Sequence, residues 1–396
     1  MRCGVSVKLV GDRSLETTDG AVCIMLAQPP SPAHVFDQCT RIHGFHHTRW
    51  ANCGDRNVWP SSHAMLNRSA SHFVELLDEL PGPLVVLGDS LLRDFFMIAA
   101  CLVTSKNVKV VPPRSMTTLD WGRRGVVRLR RSKFGPTLMS YVWWRPIGTH
   151  GPDEKSELRE AAVILTNLGL THAHNNSEAA AWLVDFQQWM LDEVELQQRG
   201  SFFANEYRQV MQGHHSQMSL EGIKAEYRRR GTNRLPVVAL HEQLPAHFPS
   251  TRHGEYDADL QTAYEAAVSS GTNRRVCRPH RLPSEENMAS NWRYSLVDAF
   301  ARNNSLPILR FWDRTVDRAN DHITPSDVDG AAPLVKRRNG MDCRHWCNPG
   351  MTTIEWATET FPTFLRESIL PRMVSGDSGS LLLKRRAGKR RVGHPE

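Results

Sequence analysis

The chain has 396 residues, 40% of them hydrophobic and 23% charged, which excludes a small disulfide-stapled peptide, a coiled coil and a collagen-like fibre. Its formal charge of +7 is lopsided: residues 384–396 hold six basic side chains and one acid, a net of +5, so the remaining body carries only +2. A nearly neutral body with a basic end is not the charge distribution of a dedicated nucleic-acid binder, and no run of about 18 apolar residues marks a transmembrane helix.

In chain order, residues 1–75 read as an irregular lobe, rich in Cys and His, with CTRIHGFHHTRWANCG at 39–54 suited to a Cys39–Cys53 bridge. Helical spacing starts at HFVELLDEL (72–80) and is broken by Pro81-Gly82-Pro83. LVVLG (84–88) is a short buried strand, and LLRDFFMIAACLV (91–103) a helix. VVRLRR (126–131) and LMSYVWWRP (138–146) read as strands on either side of a Gly-Pro break, and AVILTNLG (162–169) as another buried strand. A long helix follows over 178–199, capped by Ser177 and stopped at Gly200, with Trp182, Leu183, Phe186, Trp189 and Met190 on one face. LPVVAL (235–240) and LPILRFW (306–312) are strands; 259–270 and 292–304 are helices. Buried strands alternating with helices indicate an α/β fold with a mainly parallel sheet covered on both faces. We expect a domain over 76–370 and a flexible basic tail over 371–396.

The eight cysteines are even in number, and the sequons Asn67-Arg-Ser, Asn175-Asn-Ser and Asn303-Asn-Ser could accept glycans. Together they point to the secretory pathway, a Golgi lumen or the extracellular space, with a targeting segment or membrane anchor missing from this sequence.

Two segments carry chemistry. In VVLGDSLLRDFF (85–96) a buried strand ends in Gly88-Asp89-Ser90 and a helix begins at once. Open α/β sheets bind ligands at the carboxyl ends of their strands, and a helix N-terminus offers unpaired N–H groups to an oxyanion. Ser90 is therefore a candidate nucleophile; the plainer alternative is a turn in which Asp or Ser caps the helix. A second Gly-Asp-Ser in GDSGS (376–380) lies in a Ser/Gly-rich stretch and reads as a turn. In DCRHWCNPG (342–350), Asp342 and His345 are three apart and would share a face of a helical turn, giving a base with a carboxylate to orient it. The alternation of Cys343, His345 and Cys347 leaves zinc as an alternative, although no matching ligand pair stands elsewhere.

GDSLLR (88–93) early and DCRHWC (342–347) late resemble the PC-esterase branch of the SGNH (GDSL) hydrolase superfamily, in particular the trichome birefringence-like polysaccharide O-acetyltransferases. The resemblance covers about 75–365. It implies a three-layer α/β/α sandwich and a triad of Ser90, His345 and Asp342. It implies an oxyanion hole from the Ser90 N–H, a glycine N–H, assigned to Gly125 over Gly122, and the Asn167 side chain, although the family's usual Asn-Thr-Gly-His reads Asn-Leu-Gly-Leu here. Leu-Pro-Ala-His247-Phe248 resembles a family segment that would line the substrate groove. Arg93 belongs to the first motif, and Trp346 suits sugar stacking. Arg93, His247 and Trp346 are accordingly substrate-binding candidates. The cysteines fit this picture if Cys277 pairs with Cys343 while Cys101 and Cys347 bridge to the N-terminal lobe. No cofactor is implied; the partners are a small acyl donor such as acetyl-CoA and a glycan acceptor. The expected activity is O-acetyl transfer, with O-acetyl ester hydrolysis by the same triad, or glycan binding without catalysis, as alternatives.

Overall fold

The structure, a computed structural model, describes residues 63–104, 106, 108–111, 126–132, 135–145, 149–173, 175–200, 236–251, 257–271, 277–278, 286, 291–323, 342–346 and 350–375. Residues 1–62 of the lobe expected over 1–75, the Cys39–Cys53 bridge, Gly122, Gly125, Cys347, GDSGS and residues 376–396 of the tail expected over 371–396 lie outside the described residues.

Its centre is a seven-stranded sheet in the order β2-β3-β4-β1-β5-β6-β7. The strands are β1 (Leu84–Gly88), β2 (Lys109–Val111), β3 (Val126–Arg130), β4 (Thr137–Trp143), β5 (Val163–Thr166), β6 (Val237–His241) and β7 (Ile308–Leu309). β4, β1, β5, β6 and β7 run parallel, while β3 is antiparallel to both β2 and β4. β1 is buried at all five positions because it is central and covered on both faces. Leu84 and Val86 face one apolar core; Val85 and Leu87 face the other. The sheet is thus mixed rather than wholly parallel. The reversal comes from Gly135-Pro136, which turns β3 back onto β4 as a hairpin.

Helices α1 (His63–Glu79) and α2 (Ser90–Thr104) pack on one face of the sheet. On the opposite face pack α3 (Pro152–Glu160), α4 (Asn176–Gly200) and α6 (Trp292–Asn304), whereas α5 (Ala258–Ser269) belongs to a smaller cluster around Cys277 and Cys343. α1 starts at His63, earlier than the spacing at 72–80 suggests, and buries Leu66, Ala70, Phe73, Val74 and Leu77 along a single stripe. The boundary expected at residue 75 therefore falls inside a helix that is part of the core.

A long C-terminal helix, α7 (351–375), completes the first face with Ile354, Trp356, Phe361 and Leu365. It widens into π-type turns at Trp356–Thr360 and Leu365–Ile369. Each wide turn lies just upstream of a proline, Pro362 and Pro371. A proline lacks an N–H and its ring collides with the carbonyl four residues back; the extra residue in the turn moves that carbonyl away, so the helix continues.

Outside the main sheet, β8 (His322–Ile323) and β9 (Asp342–Trp346) form a two-stranded antiparallel ribbon with an irregular register. Cys277 and Cys343 are joined in a disulfide, and Cys101 is also disulfide-bonded. Bonds of this kind fit an oxidising compartment. Among the described residues no helix is long and apolar enough to cross a membrane.

Candidate active site

The carboxyl end of β1 lies between those of β4 and β5, and its last residues are tied to both neighbours. From β4, Tyr141 directs its hydroxyl at the carbonyls of Gly88 (2.7 Å) and Asp89 (3.0 Å). From the turn after β5, Asn167 grips Asp89 on two sides. Its Nδ2 donates to Asp89 Oδ1 at 2.8 Å, and its Oδ1 accepts from the Asp89 N–H at 3.3 Å and the Gly169 N–H at 3.1 Å. The Thr171 hydroxyl donates to Asp89 Oδ2.

Asp89 is the N-cap of α2. Its carbonyl accepts from the Arg93 N–H at 2.9 Å, and its Oδ1 accepts from the Leu91 N–H at 2.9 Å. Ser90 consequently occupies the first helical position, where a backbone N–H has no intrahelical acceptor. The plainer reading of Gly-Asp-Ser holds for Asp89, and it is what aims Ser90.

The Ser90 Oγ lies 2.7 Å from His345 Nε2, across 255 positions of sequence. Ser90 is 7% exposed and His345 4%, so the pair sits beneath the surface. His345 belongs to β9, which is paired with β8 and held by further contacts along its length. Cys343 is fixed by its disulfide. The Cys343 carbonyl accepts from the His247 N–H at 2.8 Å. The His345 carbonyl accepts from His322 Nδ1 at 2.9 Å. Arg344 Nη1 donates to the Thr171 carbonyl at 3.1 Å, linking β9 to the turn that carries Asn167.

Residues 342–346 are extended, which corrects the helical turn expected there. The i, i+3 face argument for Asp342 and His345 belongs to helices and does not carry over to β9, whose pairing with β8 is irregular in register. The side chain of Asp342 is outside those described. Arg93 is buried and donates to the Asp94 carboxylate at 2.8 and 3.1 Å, with its guanidinium 6.0 Å from the Trp143 ring centroid. Two of the expected groove residues lie elsewhere. His247 is fully buried with both ring nitrogens engaged, and Trp346 is 2% exposed and stacked on His322 at 4.1 Å. Both are core residues here, because the stretch around His247 packs against strand β9. Cys343, one of the alternating zinc-ligand candidates, is held in the disulfide; among the described residues no group of three or more His, Cys, Asp or Glu could hold a metal ion.

Sequence reasoning offered Asp89 as a helix cap but missed Thr171, Arg344 and His322, which act through partners more than 20 positions away. Close to the site, a narrow crevice is lined by Leu91, Leu92, Phe95, Asn167 and residues 241–244. Within it, His241 donates through Nδ1 to the Glu242 carbonyl at 2.7 Å and accepts through Nε2 from Trp356 Nε1 at 2.9 Å. Burial lowers His241 to about 4, so the ring is neutral. No protein-family model matches the chain, and no curated protein matches it.

Proposed function

We propose that the chain is an SGNH-like acyl-ester enzyme that transfers an O-acetyl group to a glycan hydroxyl through Ser90, His345 and Asp342. The observation that carries this reading is the 2.7 Å contact between Ser90 Oγ and His345 Nε2 at the first position of α2. That placement combines a base within reach of a hydroxyl with helix N–H groups for developing negative charge.

In the proposed reaction Ser90 Oγ attacks the donor's acyl carbonyl while His345 Nε2 takes the hydroxyl proton. The tetrahedral oxyanion is met by the Ser90 N–H and by the second N–H of the Asn167 amide, the first being committed to Asp89. Gly125 is the remaining proposed donor. As the intermediate collapses, His345 passes its proton to the leaving group and Ser90 is left acylated. A glycan hydroxyl then gives its proton to His345, attacks the acyl carbon, and Ser90 recovers its proton. Asp342 is the proposed orienting carboxylate for His345. Water in place of the glycan gives ester hydrolysis with the same residues. The donor is a small acetyl carrier such as acetyl-CoA, and the setting is the Golgi lumen or extracellular space, in keeping with the disulfides.

Ser90→Ala and His345→Ala are expected to abolish turnover of an activated acetyl ester, a loss of about 10³-fold or more, with unchanged circular dichroism. Ser90 is also expected to be labelled by a fluorophosphonate. Full turnover in either folded variant defeats the assignment.

A further inference from the structure

At the backbone carbonyl of His345, two buried imidazoles form a chain of three contacts. His247 Nε2 lies 2.7 Å from the Val316 carbonyl, His247 Nδ1 lies 2.6 Å from His322 Nε2, and His322 Nδ1 lies 2.9 Å from the His345 carbonyl. Carbonyl oxygens only accept, so His247 Nε2 and His322 Nδ1 must each carry a proton. A nitrogen–nitrogen separation of 2.6 Å is a hydrogen bond only if one more proton lies between the rings. Two rings with three N–H groups hold one positive charge; two neutral imidazoles have two N–H groups and must leave one contact unmade. Both side chains are fully buried, where an unmade contact costs most.

We propose that His247 and His322 are a singly charged imidazole–imidazolium pair that acts as a positioning device, holding the backbone of His345 so that its ring meets Ser90. The positioning part rests on the reading of Ser90 and His345 as nucleophile and base. Trp346 supports the charge: its ring stacks on His322 with centroids 4.1 Å apart and meets His247 edge to face at 5.7 Å, an arrangement in which an aromatic face stabilises a cation. Charged residues on the segments around the pair are Glu242, Arg278, Asp313, Arg314, Asp317, Arg318, Asp321, Asp342 and Arg344. The third proton follows from the hydrogen-bond count rather than from these charges. The pair spans three separate segments, the turn after β6, the 312–321 turn and β8, and its far end closes on the residue that carries the proposed base.

The test is nitrogen-15 NMR on the full chain with labelled histidine at neutral pH. The expected result is three N–H groups on the two rings, one of them coupled to nitrogens of both His247 and His322. Two N–H groups and a bare ring nitrogen on either residue would overturn the charged pair. The second measurement is the rate of fluorophosphonate labelling. His322→Phe keeps a ring against Trp346 but removes both hydrogen bonds, and is expected to slow labelling about tenfold or more. His322→Asn keeps a donor toward the His345 carbonyl and is expected to recover part of that loss. A labelling rate unchanged in His322→Phe would overturn the positioning role. Three N–H groups in a wild type that no fluorophosphonate labels would instead sink the serine-enzyme reading and leave the charged pair standing.

Discussion

Leu168 and Gly169, directly after Asn167, both adopt left-handed backbone angles, with φ of 58° and 59°. For leucine this conformation costs about 1–2 kcal/mol, and strain of that kind persists only where the surroundings enforce it. Here the enforcement is visible: Leu168 is wholly buried, the Asn167 side chain caps the turn through the Gly169 N–H, and the Leu168 N–H donates to the Thr166 hydroxyl at 2.9 Å. Gly169 has no room for a side chain, since a Cβ there would lie 1.8 Å from Cδ1 of Trp144. Gly169→Ala is therefore expected to lower stability by more than the roughly 1–2 kcal/mol of the backbone alone, because the Trp144 ring must also move. Urea unfolding measures the loss, and a change within experimental error would contradict it. The same variant should weaken the Asn167 grip on Asp89 and so disturb Ser90.

At the level of elements, Glu242 joins the ends of two parallel strands. It follows β6, and its carboxylate accepts from the N–H groups of Phe311 and Trp312 just beyond β7. Burial pushes this carboxyl up to about 7 from 4.5, with the two N–H donors and Arg310 pulling the other way. The native protein thus keeps the proton to higher pH than the unfolded chain does. The contribution of this group is complete below about 4.5 and is lost as pH rises through about 7. His241 works in the opposite sense: its folded value of about 4 lies below the ordinary 6.5, so its share is lost as pH falls through that window. Comparing wild type with Glu242→Gln cancels the His241 share. The glutamine variant is expected to gain stability relative to wild type between about pH 5 and about pH 8, as read from urea midpoints. A constant difference would refute the raised carboxyl.

Legibility also differed element by element. β1 and α6 were readable at their true limits, since five consecutive apolar residues and a helical pattern are local signals. α3 was missed because PDEKSELRE holds one apolar residue, although its Pro at the first position and its early acids mark a helix start. The prolines of α7 hid a continuous helix. β9 was read as helical because DCRHW has no alternation to indicate a strand, and its partner is only two residues long.

Across the whole molecule, the site depends on connections that close long loops. The Cys277–Cys343 bond spans 66 positions and anchors β9 two residues before His345. Reducing it, or making Cys277→Ser, is expected to cost about 2–4 kcal/mol and to slow labelling of Ser90 by freeing β9. Undiminished labelling in the reduced, still folded protein would show that the ribbon and the His322 contact suffice. The amino-acid sequence by itself determined the alternation of strands and helices, the strand–turn–helix at Gly88-Asp89-Ser90 and the residue types able to do acyl chemistry, because these follow from local periodicity, capping and composition. Only the tertiary structure decided that β3 reverses the sheet, that His247 and Trp346 are interior, that Asp89 is clamped by Asn167, and that His345 meets Ser90. Each of those outcomes is a contact between segments distant in sequence, and its geometry is set by packing and by hydrogen bonds that no local pattern encodes.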